Sequence, residues 1–168
     1  MKAWIGLGGN AEDSCELLSE ALRRLGSTPG IGRPCTSRFF RTAPWGVPDQ
    51  PDFVNAVAEV ETDLSPEALL DVLLDVERAL GRKRDGTRWG PRPIDLDLLA
   101  CDELVVRTDR LILPHPRMHE RAFVLVPLLE LEPSFLIPGR GSAAHCLERL
   151  DSREVDSVTP LANQEEEN

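Results

Sequence analysis

Residues 77–97 join a helix end, a basic loop and a short apolar strand in one stretch of sequence. Gly81 is predicted to end the helix, because a residue without a Cβ atom readily takes the left-handed conformation found there. The strand that follows contains Asp95 and Asp97, and aspartate is depleted in strands. The two aspartates therefore need an explanation.

Asp95 and Asp97 are predicted to point to one face of the strand, since successive strand side chains alternate between faces. Two like charges on one face repel each other unless a cation lies between them. Mg²⁺ usually takes one or two protein carboxylates and completes its shell with water and phosphate oxygens. Taken alone, the pair is better explained as the acidic outer face of a half-exposed strand.

The basic loop at residues 82–92 shifts this balance towards phosphate chemistry. Its basic side chains are Arg82, Lys83, Arg84, Arg88 and Arg92, opposed by Asp85 alone. Guanidinium groups bind phosphate through paired hydrogen bonds, and a metal with arginines on a polyphosphate is typical of phosphoryl transfer. A charge run is usually a solvated turn, but here it stands in a chain of net charge -10. The contrast favours a phosphate-binding loop.

The order of predicted elements is strand, helix, strand, strand, helix, strand. These elements lie at residues 2–8, 13–25, 33–42, 52–61, 65–80 and 94–100. The order indicates an α+β, ferredoxin-like core with an antiparallel sheet and both helices on one face. In residues 52–61 the even-numbered positions face the core, whereas Phe53 and Asn55 face the other way. From the residues alone, a polar side chain facing water is the simpler interpretation of Asn55.

Residues 103–150 are predicted to add a hairpin and helices, which gives α/β/α layers. A helical pattern at 118–131 is expected to break or kink near Pro127, and the final helix is predicted at 143–150. Hydrophobicity falls from Asp151 onward. We therefore expect one domain over residues 1–150 and an acidic, disordered tail over residues 151–168.

Several motifs in order resemble the 6-hydroxymethyl-7,8-dihydropterin pyrophosphokinase family. The strongest is Arg-Trp-Gly-Pro-Arg-x-Ile-Asp-Leu-Asp at residues 88–97. Residues 6–10, 40–44, 50–55 and 113–123 also resemble family segments, so the resemblance spans roughly residues 2–138. It implies the transfer of pyrophosphate from ATP to the hydroxymethyl group of a reduced pterin, with AMP as the other product.

The resemblance also implies roles for individual residues. Asp95 and Asp97 would hold two Mg²⁺ ions, and they would be catalytic together with Arg82 and Arg92. The pterin pocket would be formed by Thr42, Pro44, Trp45, Phe53, Asn55 and Phe123, with the two phenylalanines on either side of the ring. ATP would contact Glu77, Arg82, Arg84, Trp89, Arg92, Leu98, Arg110, Ile112, His115 and Arg121.

The sequence departs from the family pattern at a few positions on the nucleotide side and at one position of the pterin pocket. A basic residue can stand where Asp85 lies, an amide where Leu74 lies, and a polar residue where Ile112 lies. Pro116 removes a backbone donor, and Phe53 replaces a frequent tyrosine. None of these departures touches the aspartate pair.

Composition excludes some partners and indicates a compartment. The acidic net charge argues against a nucleic acid or an anionic membrane as partner. The four cysteines are scattered without a Cys-x-x-Cys pair, which is typical of thiols in a reducing compartment. No signal peptide is recognised at Met1-Lys2. We therefore expect a cytoplasmic monomer that binds only small molecules.

Two other classes of function remain open at this point. A ferredoxin-like sensing module would bind a nucleotide without turnover and would not need paired aspartates. A protein-interaction domain would expose a large apolar patch, which hydrophobic periodicity does not reveal here.

Overall fold

The structure is a computed structural model that describes residues 1–42, 51–81 and 93–161. The strands are β1 (Lys2–Gly9), β2 (Cys35–Thr36), β3 (Phe40–Thr42), β4 (Phe53–Glu61), β5 (Asp95–Cys101), β6 (Val106–Arg107), β7 (Ile112–Leu113), β8 (Leu136–Ile137), β9 (Gly141–Ser142) and β10 (Thr159–Pro160). The helices are α1 (Ser14–Gly26), α2 (Pro66–Ala79), α3 (Ala122–Leu131), α4 (Ala143–Glu148) and α5 (Ser152–Asp156), with a 3-10 turn at Met118–Glu120. None of the helices described is long and apolar enough to cross a bilayer.

The main sheet is antiparallel and follows the strand order β10-β3-β4-β1-β5, with β2 also paired to β4. Strand β1 lies between β4 and β5, which is the arrangement expected from the predicted element order. Its register matches Lys2 with Glu61 at one end and Gly9 with Val54 at the other. The predicted ferredoxin-like, antiparallel fold is confirmed.

The two faces of the sheet bury separate apolar clusters. On one face, Ala3, Ile5 and Leu7 of β1 pack with buried leucines of α1 and α2. On the other face, Trp4 packs under α3 and meets Phe135 edge to face, with ring centroids 5.0 Å apart. Helices therefore cover both faces of the sheet, in α/β/α layers.

The predicted strand at residues 33–42 is two short strands instead of one. The reason lies at Ser37, whose Oγ accepts a hydrogen bond from Val57 N at 3.0 Å. The hydroxyl also donates to Arg38 O at 2.8 Å. A side chain thus takes the place of a backbone group in the ladder, and the chain leaves β4 between β2 and β3.

The interruption predicted near Pro127 lies at Arg121 instead. Arg121 has an extended backbone, with φ -117° and ψ 108°, and it separates the 3-10 turn from α3. Helix α3 continues through Pro127. Proline removes one helical hydrogen bond, but the apolar residues around Pro127 remain buried against the sheet.

Residues 151–161 are packed elements, which corrects the predicted tail boundary at residue 150. Helix α5 is capped by Asp151, whose Oδ1 accepts from Arg153 N at 2.8 Å. Strand β10 pairs with β3, and Val158 is buried in a cluster with Phe40. Hydrophobicity alone did not predict that this segment is packed, because two valines contribute buried or half-buried apolar side chains and the rest of the stretch is mostly polar. The predicted tail at residues 162–168 lies outside the described residues.

A pair of truncations tests whether the C-terminal segment supports the fold. A chain ending at Val158 loses β10 and the Leu161 N to Phe39 O hydrogen bond of 2.9 Å. We expect its free energy of unfolding to fall by about 2 kcal/mol, from lost hydrogen bonds and apolar burial. A chain ending at Leu161 is the control and should unfold like the full chain. Equal melting temperatures for the two truncated chains would contradict the assignment.

Candidate active site

A pocket of about 700 Å³ opens on the α3 face of the sheet, beside the C-terminal end of β1. The sheet contributes glycines of β1 and polar residues of its neighbours, and two later segments complete the wall. The pocket-lining residues include Gly6, Gly8, Gly9, Thr42, Phe53, Asn55, Asp95, Asp97, Arg121, Ala122, Phe123, Asp151, Arg153, Glu154, Ser157 and Val158. The pocket thus joins residues that are far apart in sequence.

Strand register places an amide and a carboxylate on opposite sides of a glycine. Gly8 pairs with Asn55 of β4 on one side and with Asp95 of β5 on the other. Two residues earlier, Gly6 pairs with Asp97 in the same way. The centre of the pocket floor therefore carries no side chain, and a ligand can contact the backbone of β1 directly.

The position of the Asn55 side chain leaves room only for glycine at residue 8. A Cβ atom at this position would lie 2.6 Å from Asn55 Oδ1, closer than real Cβ contacts allow. Asn55 is itself 8% exposed and lines the pocket, so a Cβ atom here would push its amide out of its present position. The glycine therefore allows Asn55 to approach the floor of the pocket.

Thr42 adds a buried hydroxyl to the same side of the pocket. Its Oγ1 has no hydrogen-bond partner among the described residues. An unsatisfied buried hydroxyl costs about 1–3 kcal/mol and is rare in folded proteins. Because Thr42 lines the pocket, the hydroxyl is well placed to bond a polar group of a ligand.

The opposite side of the pocket is acidic. Asp95 is half-buried and Asp97 is exposed, and both line the pocket as the strand alternation predicted. Across the described ranges, no three His, Cys, Asp or Glu side chains gather as a metal site. Two carboxylates on one strand face form a hard-oxygen donor set that suits Mg²⁺ together with ligand oxygens.

His115 lies near the acidic side as a neutral imidazole. Burial lowers the pKa of His115, while the charge of Asp97 acts in the opposite direction. Its Nδ1 accepts a hydrogen bond from Arg117 N at 3.1 Å. The neutral ring therefore carries its proton on Nε2 and can donate one hydrogen bond from that atom.

Arg121 supplies positive charge at the start of α3. It lines the pocket, and its Cζ lies 5.6 Å from the centroid of the Phe123 ring. This distance is within the range of a cation–π contact. The arginine and the aromatic ring thus support each other on the wall formed by α3.

Seven predicted site residues meet in the pocket, namely Thr42, Phe53, Asn55, Asp95, Asp97, Arg121 and Phe123. Others lie outside the described residues, namely Pro44, Trp45, Arg82, Arg84, Trp89 and Arg92. The side chain of Leu98 is buried in the cluster under α1 and α2, on the face opposite the pocket. A direct side-chain contact between Leu98 and a ligand in this pocket is therefore not supported.

Two predicted ATP contacts lie away from the pocket on the β6–β7 hairpin. Arg110 forms an ion pair with Asp71 of α2, and its hydrogen bond to that carboxylate raises the pKa of Arg110. Ile112 is 48% exposed. Neither residue lines the pocket, so the described structure gives them no contact with a ligand there.

Glu77, a predicted ATP contact, is buried and does not line the pocket. It is 3% exposed, and its Oε2 accepts a hydrogen bond from Leu96 N at 2.8 Å. This contact joins α2 to β5 between the two aspartates. In the described structure, Glu77 therefore fixes the strand that carries Asp95 and Asp97.

The sequence reasoning did not identify the pocket residues at 151–158. A usable signal was present, because Asp151 followed three positions later by Glu154 is a helix-start pattern. The steric need for glycine at position 8 depends on its pairing with Asn55, which is a contact between distant strands.

Comparisons with known proteins agree on one family. A family model described as 7,8-dihydro-6-hydroxymethylpterin-pyrophosphokinase matches residues 4–133. A 2-amino-4-hydroxy-6-hydroxymethyldihydropteridine pyrophosphokinase of Methylorubrum extorquens is 45% identical over 94% of this chain and 98% of its own length. The protein of the same name from Haemophilus influenzae is 37% identical over 94% of this chain and 98% of its length.

Solved structures show the same fold. A Plasmodium falciparum HPPK-DHPS structure matches with a TM-score of 0.66 at 14% identity. The match covers 88% of this chain and 43% of that one, so this chain spans less than half of the bifunctional protein.

Substitution of Glu77 tests its structural contact. Glu77→Ala leaves Leu96 N without its buried acceptor, and we expect the free energy of unfolding to fall by about 2 kcal/mol. Glu77→Gln keeps an acceptor oxygen and should lose less. Chemical denaturation measures both variants. A Glu77→Ala protein as stable as the parent would show that the contact contributes nothing.

Proposed function

This chain belongs to the 7,8-dihydro-6-hydroxymethylpterin pyrophosphokinase family, and from that premise we propose how its residues divide the reaction. The enzyme transfers pyrophosphate from ATP to the hydroxymethyl group of 6-hydroxymethyl-7,8-dihydropterin, a step in folate biosynthesis. The products are AMP and the pterin diphosphate. The observation that supports our assignment best is the pairing of Gly8 with Asn55 on one side and with Asp95 on the other. This pairing places an amide and a carboxylate on opposite sides of a strand position that has no side chain.

We assign the pterin to the part of the pocket on the β4 side of β1, where Asn55 lies. Phe53 and Phe123 line the same pocket and would lie on either side of the flat ring, where aromatic stacking is favourable. The Asn55 amide can donate and accept at once, as the amide edge of a pterin requires. Thr42 Oγ1 would gain the hydrogen bond that it lacks in the described structure.

We assign the triphosphate of ATP to the part of the pocket on the β5 side of β1, where Asp95 and Asp97 lie. Enzymes of this kind generally need Mg²⁺, and these carboxylates fit it as hard oxygen ligands that share one strand face. We propose that they hold two ions. When bound, Mg²⁺ offsets the negative charge of the phosphates.

Positive groups of the protein share in that neutralisation. Arg121 lines the pocket, and His115 can donate from Nε2 on the same side. The sequence predicts that Arg82 and Arg92 add guanidinium groups from the basic loop. No strong general base is required, because phosphoryl transfer depends mainly on positioning and charge neutralisation.

The proposal extends to organisation and compartment. The pocket is lined by segments of one chain from Gly6 to Val158, which supports one domain acting as a monomer. The four cysteines are free thiols, as is usual in the cytoplasm. The acidic net charge supports small-molecule partners rather than nucleic acid or membrane.

Product analysis tests the reaction directly. With γ-labelled ATP, Mg²⁺ and the pterin alcohol, we expect AMP and a labelled pterin diphosphate, because attack occurs at the β-phosphorus. ADP with a pterin monophosphate would indicate an ordinary kinase. Nucleotide binding without any pterin product would favour a sensing module.

Isosteric substitution tests the carboxylate pair. Asp95→Asn and Asp97→Asn should each lower kcat by at least about 100-fold, since charge neutralisation dominates this chemistry. The melting temperature should stay close to that of the parent, because the substitutions also relieve repulsion between like charges. Wild-type activity in either variant would refute the assignment, and broad unfolding would assign the aspartates a structural role instead.

A double-mutant cycle tests the link between Gly8 and Asn55. Gly8→Ala should raise the KM for pterin about 10-fold, because the new Cβ displaces the Asn55 amide. The double variant with Asn55→Ala should then be no worse than Asn55→Ala alone. Additive losses would show that Gly8 acts independently of Asn55.

A further inference from the structure

Residues 151–161, here called the C-terminal clamp, connect two walls of the pocket. The clamp lines the pocket through Asp151, Arg153, Glu154, Ser157 and Val158. On one side its strand β10 pairs with β3, which carries Thr42. On the other side Val158 packs with Ala122 of α3, next to Phe123. One short segment therefore touches two of the elements that supply predicted pterin contacts, β3 and α3.

In the described part of the chain, a polar contact ties the clamp to the first turn of α3. Glu154 Oε1 accepts a hydrogen bond from Ala122 N at 3.5 Å. The first N–H groups of a helix have no acceptor within the helix, and Arg121 provides no side-chain cap here. Ala122 is fully buried, and its contact with Glu154 lies at the wall of the pocket. A negative charge at this end also suits the helix dipole.

Hydrogen bonds at both ends of α5 fix the backbone around Glu154. Asp151 Oδ1 accepts from Arg153 N at 2.8 Å at its start. At its end, Ser157 Oγ donates to Glu154 O at 2.6 Å. The backbone of Glu154 is thus fixed locally, and its side chain reaches the α3 turn from a defined position.

We propose that Glu154 is a positioning residue for pterin binding: it holds the α3 turn so that Phe123 faces Phe53 across the pocket. The inference rests on the proposed location of the pterin between these two rings. Glu154 acts through α3 rather than on the reacting phosphate. Its loss should therefore weaken pterin binding far more than ATP binding, although Arg121 borders the same turn.

Steady-state kinetics with both substrates varied test this role. Glu154→Ala should raise the KM for pterin about 5-fold, while kcat and the KM for ATP stay within about 2-fold. Glu154→Gln should behave like the parent, because an amide oxygen still accepts from Ala122 N. Glu154→Asp keeps the charge but shortens the reach, and it should resemble Glu154→Ala. Asp156→Ala removes an exposed acid from the same helix and is the matched control.

Several results would overturn the inference. They are a pterin KM in Glu154→Ala equal to that of Asp156→Ala, a parallel rise in the KM for ATP, and a Glu154→Gln protein as impaired as Glu154→Ala. The parent enzyme in the same assay separates this inference from the proposed function. If the parent forms AMP and pterin diphosphate but Glu154→Ala is unchanged, only the role of Glu154 fails. If the parent forms no pterin diphosphate, both fail.

Discussion

The pairing of β1 with β4 and β5 is the constraint on which the site depends. Its register sets Asn55 and Asp95 on opposite sides of Gly8, and a slip by one residue would turn every side chain to the other face. The buried cluster of Ala3, Ile5 and Leu7 against α1 and α2 opposes such a slip, because it would remove these side chains from that core. Core packing on one face thus fixes chemistry on the other.

Positioning matters more than reactive groups in this molecule. The Glu77 carboxylate fixes β5 by accepting a hydrogen bond from Leu96 N. Residues 151–161 contact both β3 and α3 at the edge of the pocket. These contacts fix the two halves of the pocket relative to the sheet. A reaction that proceeds by alignment of two substrates and neutralisation of charge requires such rigidity more than it requires a strong base.

The sequence predicted the parts of the site that depend on strand periodicity. Asp95 and Asp97 share a face, and Asn55 lies opposite the core side of β4, because alternation is a local property. Contacts between distant segments were not predictable in this way. The burial of Glu77 depends on how α2 packs against β5, and the interruption at Arg121 depends on a turn that leads into the pocket. The clamp was missed because its few apolar residues are effective only beside Phe40 and Ala122.

The central claim is that one strand separates the pterin from the metal, and a distance measurement tests it most directly. Asn55 and Asp95 lie two strand spacings apart, or about 10 Å. With Mn²⁺ in place of Mg²⁺, an unreactive ATP analogue and the bound pterin, NMR relaxation should place the pterin protons within about 10 Å of the metal. Substitution of Asp95 and Asp97 by asparagine should abolish that enhancement. Pterin protons that bind the enzyme but show no enhancement with Mn²⁺ bound would contradict the account.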